Sequence, residues 1–129
     1  MKYLLDANAV IALLKGHERF LARLRRHRSE EFVISSIVAH ELYYGAYKSA
    51  RSKESLARVE ALAFGVLEFD QEDARMAGEL RAQLSRAGTP IGPYDVLIAG
   101  QAMARELILL THNQREFQRV SGLRTEDWE

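Results

Sequence analysis

Acidic side chains follow several of the apolar segments that we predict to be strands. Asp6 comes directly after the first segment, Glu41 lies inside the helix after the second, and Asp95 opens the helix before the fourth. In open α/β sheets, ligands bind at the carboxyl ends of the strands. Three carboxylates converging there would repel one another unless a cation compensates them, and Mg²⁺ and Mn²⁺ prefer carboxylate oxygens. We therefore predict a divalent metal site that can activate water and stabilise charge on a phosphoryl oxygen.

Ordinary structural roles remain open for each candidate residue. Asp6 alone could be a helix cap, and a carboxylate such as Asp95 in a first turn favours the helix dipole. Glu41 could face solvent. Thr111 ends the fourth predicted strand, and Asn113 in the loop beyond it could be a turn residue. The spacing of the whole set favours convergence more than any single member does.

The elements that would position these side chains alternate between strands and helices. Apolar runs predict strands at Tyr3–Leu5, Phe32–Ile34, Val66–Phe69 and Leu107–Leu110, with a small fifth strand at Leu123–Thr125. Helical segments separate the first four strands in the order β-α-α-β-α-α-β-α-α-β-(β). Such alternation indicates a parallel sheet with helices on both faces. We predict one α/β domain over residues 1–129.

Two of the helices carry start signals. Asp70 stands three residues before Asp73, which is the spacing of a capping box. Pro93 fits the first position of the helix that contains Asp95. At the start of the chain, we expect Asn8 to cap the first helix.

The composition excludes several classes of protein. The chain has 129 residues, with 18 Lys plus Arg, 18 Asp plus Glu and no Cys. The zero net charge argues against nucleic-acid binding by bulk charge alone, and the lack of Cys excludes disulfides and Cys-ligated zinc. No apolar run approaches the length of a membrane span, and the first strand begins too early for a signal peptide. We expect a cytoplasmic protein without membrane association.

Four stretches of the sequence together resemble one known family. They are YLLDANAVIALL, ISSIVAHELYYGA, RAQLSRAGTPIGPYDVLIAGQAM and LLTHNQREFQRVSGLRTEDW, and they cover nearly the whole chain in the family's order. The pattern resembles PIN-domain endoribonucleases, specifically the VapC-type toxins of type II toxin–antitoxin pairs. The resemblance implies a PIN-like three-layer α/β/α sandwich around a parallel sheet of four to five strands.

The resemblance also implies which residues form the site. Asp6, Glu41 and Asp95 match the acidic residues that hold the metal in the family. Many members have a further acidic residue after the fourth strand. Here that neighbourhood contains Asn113, which we assign to the catalytic site as a metal or water ligand, with Glu116 as its substitute.

Two supporting residues and one departure complete the match. Asn8 and Thr111 are retained, and we expect them to orient the metal ligands. The family often has Thr or Ser directly after the first Asp, where this chain has Ala7. The departure affects an expected supporting hydrogen bond and leaves the three carboxylates in place.

The function implied by the resemblance is Mg²⁺- or Mn²⁺-dependent hydrolysis of RNA by a toxin. Water would attack phosphorus and the 3′ oxygen would leave. A cognate antitoxin would cover the acidic pocket, often with a basic side chain, and the toxin would form a homodimer. The sequence does not rank the residues that could contact RNA, which are Arg23 to Arg28, Lys48, Arg51 and Tyr94.

Two other functions would use an acidic sheet edge. A receiver-type signalling domain needs a Lys after its last strand, but the four Lys residues, at positions 2, 15, 48 and 53, all lie in the first half of the chain. A non-catalytic PIN-like binding module, whose acidic edge docks an Arg of a partner, stays open at this stage. Metal-dependent RNA cleavage would distinguish it from a nuclease.

Overall fold

The centre of the fold is a five-stranded parallel sheet. The structure is a computed structural model that describes residues 1–129. The strands are β1 Tyr3–Leu5, β2 Phe32–Ser35, β3 Gly65–Leu67, β4 Ile108–Leu110 and β5 Thr125–Glu126. They lie in the order β3-β2-β1-β4-β5, and every neighbouring pair is parallel. The predicted parallel sheet is confirmed, and its middle strand is β1.

Seven α-helices connect the strands. They are α1 Ala7–Leu14, α2 Glu18–Leu24, α3 Ser36–Lys48, α4 Ser52–Glu60, α5 Gln71–Arg86, α6 Pro93–Ala104 and α7 Gln114–Phe117. Right-handed crossovers are the rule between parallel strands. Because the chain crosses the sheet from β1 to β3 and then returns to β4 and β5, α1 to α4 cover one face and α5 to α7 the other. This is the predicted α/β/α sandwich. No helix is long and apolar enough to cross a membrane.

The strands next to the candidate site are almost completely buried. The three residues of β1 and the last two residues of β4 have exposed fractions of 0–4%. A strand that is buried on both faces has a continuous apolar sequence rather than an alternating one, which explains YLL and ILL. These two strands form a rigid base for Asp6 and Thr111, the polar residues that directly follow them.

The C-terminal segment is fixed to the body by Trp128. The Trp128 side chain is 2% exposed, and its ring centroid lies 4.9 Å from that of Tyr3. The guanidinium carbon of Arg23 lies 4.7 Å from the indole centroid, in cation–π geometry. The neighbouring residues Asp127 and Glu129 therefore have defined positions beyond the end of β5.

Close packing between α5 and α6 positions the helix that carries Asp95. A Cβ atom on Gly100 would lie 2.6 Å from the Cα atom of Ala77, so this contact requires glycine. At the start of α5, the side chains of Asp70 and Asp73 each accept a hydrogen bond from the other's backbone N–H at 3.0 Å. The predicted capping box is confirmed.

Candidate active site

Asp6 lies in the middle of the carboxyl edge of the sheet. Its side chain is 5% exposed, and its Oδ1 atom accepts a hydrogen bond from the Ala9 N–H at 2.8 Å, so Asp6 is the N-cap of α1. Burial raises the pKa of Asp6, although the Thr111 hydroxyl and the Ala9 N–H partly counteract this by stabilising the charge. The cap uses one carboxylate oxygen, so capping and ligand binding are compatible at this residue.

The expectation that Asn8 caps α1 is wrong. Asn8 is exposed in the first turn of the helix, where its side chain forms no hydrogen bond, because Asp6 already occupies the cap position. The expected role of Asn8 in orienting the metal ligands stays a prediction. Thr111, in contrast, is buried beside Asp6, and its hydroxyl oxygen accepts a hydrogen bond from the Asn113 N–H at 3.0 Å. Thr111 connects the Asp6 carboxylate to the segment after β4.

Glu41 reaches the same edge from the second turn of α3. This helix begins directly after β2, so its first two turns stand above the carboxyl end of the sheet. Burial raises the pKa of Glu41, and the negative charge of Asp6 raises it further. Repulsion of this kind acts over short distances. The structure therefore brings Glu41 and Asp6 together, as the spacing predicts.

Asp95 and Glu116 form a pair of closely spaced carboxyl groups. Burial and the negative charge of Glu116 raise the pKa of Asp95 to about 7, with further contributions from Asp6 and Glu41. The backbone N–H of Gly92 donates a hydrogen bond to Glu116 Oε1 at 2.5 Å and lowers the pKa of Glu116. Two carboxyl groups in such a pair are stable when they share a proton or bind a cation.

The structure places Glu116 beside Asp95, and the assignment of Asn113 or Glu116 as the ligand stays a prediction. Residues 114–117 form the short helix α7 instead of a loop, and Glu116 on this helix faces Asp95. The Nδ2 atom of Asn113 donates a hydrogen bond to Glu116 Oε2 at 2.7 Å. Glu116 therefore supplies the fourth carboxylate, and Asn113 holds it in position.

Four carboxylates thus meet at one edge without a salt bridge to Lys or Arg. They are Asp6, Glu41, Asp95 and Glu116. Gly92 has no side chain to fill the space beside Asp95 and Glu116. An added Cβ atom would lie 3.2 Å from Asp95 Oδ2 and 3.4 Å from Glu116 Oε1. The donors are all oxygen atoms, as hard cations prefer. The site therefore fits a divalent metal, which would compensate the negative charge that contributes to the raised pKa values of Asp6, Glu41 and Asp95.

Three residues near Asp6 were missed by the sequence analysis. His112, Asp127 and Glu129 offer ligand atoms that lie within 4.8 Å of one another. A hydrogen bond from His112 Nδ1 to Asp127 Oδ2, 2.9 Å long, raises the pKa of His112. The charges of Glu129 and Asp127 also contribute to the raised pKa of Asp6. Asp127 follows β5 as Asp6 follows β1, so extending the strand-end argument to the fifth strand would have found it.

Comparison with known proteins identifies the class to which this fold and site belong. The sequence model of the PIN domain matches residues 3–123. The chain therefore belongs to the PIN domain family, whose ribonucleases generally use a divalent metal. This agrees with the class of cofactor that the sequence predicts.

Several relatives within this family are VapC proteins. The tRNA(fMet)-specific endonuclease VapC of Salmonella typhimurium is 42% identical over 130 residues, which are 99% of this chain and 98% of that protein. Ribonuclease VapC2 of Haemophilus influenzae is 37% identical over 130 residues, again 99% of this chain and 98% of that protein. A chain in the crystal structure of DNA-bound VapBC from Salmonella typhimurium superposes with a TM-score of 0.95 at 41% identity, covering 100% of this chain and 99% of that one. The predicted resemblance to VapC-type PIN domains is confirmed.

Proposed function

We propose that this protein is a metal-dependent endoribonuclease that acts as the toxin of a toxin–antitoxin pair. The observation that carries the proposal is the convergence of four buried or half-buried carboxylates, none of which forms a salt bridge with Lys or Arg. Uncompensated charge of this kind is costly to a folded protein and is typical of functional sites. The names of the relatives, ribonuclease and endonuclease, support RNA as the substrate. The proposed unit is a single PIN-like domain over residues 1–129, active in the cytoplasm.

The proposed cofactor is Mg²⁺ or Mn²⁺. Its ligands are Asp6, Glu41 and Asp95, joined by Glu116. When bound, the cation supplies Lewis acidity that activates water and stabilises negative charge on the phosphoryl oxygens. The chain fixes the ligands through backbone and amide groups, since the Gly92 N–H and the Asn113 amide hold Glu116. Water attacks phosphorus, one of the carboxylates accepts its proton, and the 3′ oxygen leaves.

A cognate antitoxin is the proposed protein partner. The similar chain from Salmonella typhimurium occurs in a VapBC complex. A basic side chain from such a partner would compensate the same carboxylates as the metal does, so inhibition and catalysis would compete for one site. The same unpaired charge also supports the second candidate function, a non-catalytic module whose acidic edge docks an Arg. We further propose that the toxin forms a homodimer.

Metal binding and RNA cleavage by the purified protein, freed of any partner, test the proposed function. We expect Mn²⁺ binding in calorimetry and cleavage of at least one RNA in a broad panel, with cleavage lost in Asp6→Asn and Asp95→Asn. Glu79→Gln is the matched control, because this exposed carboxylate lies in the middle of α5, away from the site. Metal binding without any RNA cleavage would favour the non-catalytic module, and the absence of both would contradict the proposal.

A further inference from the structure

A pocket lined by aromatic rings adjoins the acidic site. It has a volume of about 380 Å³, and its walls are His40, Glu41, Tyr44 and Tyr94. Three of these residues come from α3 and one, Tyr94, from the first turn of α6. Glu41 belongs to both the pocket and the carboxylate cluster, so the two sites share a wall.

The tyrosine rings of this pocket lie outside the hydrophobic core. Tyr44 is 61% exposed and Tyr94 is 46% exposed. The ring centroids of His40 and Tyr94 lie 5.7 Å apart with an angle of 59° between the planes, so the rings are tilted towards each other rather than stacked. Exposed aromatic faces beside a polar site can accept a planar ligand between them.

The pocket continues along α3 as a stripe of three side chains. His40, Tyr44 and Lys48 are separated by four residues each, which places them on one face of the helix. The Nζ atom of Lys48 lies 5.7 Å from the Tyr44 ring centroid. Each step of four residues advances roughly 6 Å along the helix. Starting from the acidic edge, the stripe therefore presents two rings and then a positive charge.

We propose that His40, Tyr44 and Tyr94 form a stacking site for one unpaired RNA base next to the phosphodiester bond that is cleaved, with Lys48 contacting a backbone phosphate beyond it. This inference rests on the proposed function, since it uses RNA as the substrate. The shared Glu41 wall places the base and the scissile phosphate in adjoining parts of the same cleft. Proteins that bind single-stranded nucleic acid combine such aromatic platforms with basic groups along the backbone. A base within a duplex could not enter, because its faces are covered by its neighbours.

The position of the pocket ranks the residues that the sequence left unranked. Tyr94 and Lys48 lie on or beside the stripe, next to the carboxylates. Arg23, from the basic helix α2, instead packs on Trp128 and forms a salt bridge with Glu126. Contacts with the substrate near the cleaved bond therefore come from α3 and α6 rather than from Arg23.

Binding of a short oligoribonucleotide tests the stacking site. The probe is an unstructured RNA of about twelve nucleotides with one 2-aminopurine, moved through successive positions, whose fluorescence falls when the base stacks on an aromatic ring. Ca²⁺ replaces Mg²⁺ to limit hydrolysis, and gels verify that the probe stays intact. We expect strong quenching at one position, and about fivefold or greater loss of affinity in Tyr44→Ala and in Tyr94→Ala.

Two control variants separate stacking from other effects. Tyr44→Phe keeps the ring and should bind within about twofold of the unsubstituted protein, as expected for a stacking contact. Tyr47→Ala removes an equally exposed tyrosine from the same helix but outside the pocket, and should leave affinity unchanged. Circular dichroism and light scattering check the fold and the oligomeric mass of each variant.

The possible failures are distinguishable. If the unsubstituted protein cuts RNA but Tyr44→Ala binds the probe as well as Tyr47→Ala does, the stacking site is wrong and the proposed function survives. If Tyr44→Ala changes the oligomeric mass while RNA affinity stays the same, the pocket is an interface between copies, which also overturns the inference. If the unsubstituted protein neither binds nor cuts any RNA, the proposed function and the stacking site fall together.

Discussion

Two groups of buried carboxylates in this protein have opposite electrostatics. In the first, Asp73 on α5 is completely buried, and burial alone would raise its pKa. Hydrogen bonds from Arg105, the Asp70 N–H and Gln101 outweigh that effect and lower the pKa of Asp73 instead. The Nε atom of Arg105 lies 3.1 Å from Asp73 Oδ1. The chain itself supplies the cation that this carboxylate needs.

The second group, at the carboxyl edge of the sheet, has no such cation. Burial raises the pKa values of Asp6, Glu41 and Asp95, and the negative charges of neighbouring carboxylates add to each effect. Burial therefore does not distinguish a functional carboxylate from a structural one in this fold, whereas the presence of an internal cation does. The compensating charge at the sheet edge has to come from outside the chain, as a metal ion or as a basic side chain of a partner.

Replacing one carboxylate in each group should give opposite results, and these are the largest effects that we expect. Asp73→Asn leaves Arg105 without its buried partner, so the free energy of unfolding should fall by about 2–3 kcal/mol, while RNA cleavage per folded molecule is retained. Asp95→Asn should abolish cleavage and leave stability unchanged or higher, because it removes repulsion. Urea unfolding in EDTA at pH 7 measures the stability of both variants, and a cleavage assay with metal measures their activity. An equal loss of stability in the two variants would contradict the comparison.

The two groups should also respond in opposite ways to pH. A carboxyl with a raised pKa binds more protons in the folded than in the unfolded state, so stability falls as pH rises between the two pKa values. For Asp95 these values are about 7 in the folded protein and roughly 4 in the unfolded chain. In EDTA, the free energy of unfolding should therefore fall by on the order of 1–2 kcal/mol between about pH 5 and pH 8. Thermal melting at several pH values measures this.

Saturating Mg²⁺ and the Asp95→Asn substitution are the controls for this pH dependence. Mg²⁺ should reduce the pH dependence by compensating the charge and raising stability at high pH. Asp95→Asn should reduce it by removing a titrating group. Asp73 has the reverse dependence, because its stabilising effect is lost only as pH falls through its lowered pKa. If the melting temperature in EDTA stayed constant across this range, the carboxylates at the sheet edge would not be repelling one another.

The sequence could place two of the proposed ligands, Asp6 and Asp95, because each has a local signal. Asp6 interrupts an apolar run where a buried strand ends, and Asp95 lies in the first turn of a helix that begins with a proline. Such signals depend on a few consecutive residues. No such signal shows whether Asn113 or Glu116 lies beside Asp95. Helix α7 has only four residues and is too short for a periodic apolar pattern.

Backbone conformation and strand order explain why the sequence did not predict the cap of α1 or the contact between His112 and Asp127. Asp and Asn are both good caps, and the choice of Asp6 over Asn8 follows from the extended backbone of Asp6 at the end of β1, with φ −78° and ψ 172°. The contact between His112 and Asp127 requires β4 and β5 to be neighbours. That order is a property of the assembled sheet, which periodicity along the chain does not reveal.

The smallest expected effect comes from filling the space beside Gly92. Its backbone, with φ −54° and ψ 148°, suits alanine, so Gly92→Ala should leave stability nearly unchanged. The new Cβ atom would lie 3.2 Å from Asp95 Oδ2 and 3.4 Å from Glu116 Oε1, tighter than ordinary contact. We expect Mn²⁺ affinity in calorimetry to fall by about tenfold, the lower end of the loss that follows removal of a supporting contact at a metal site.

Gly45→Ala is the matched control for this substitution, because an added Cβ on that α3 residue meets no atom within 4 Å. It should stabilise the helix by about 0.5–1 kcal/mol and leave metal affinity as it is. The pair separates a general effect of glycine replacement from crowding at the carboxylates. If Gly92→Ala binds Mn²⁺ as tightly as Gly45→Ala does, the space between Asp95 and Glu116 is not used by the cation, and the remaining cation position is beside Asp6 and Glu41.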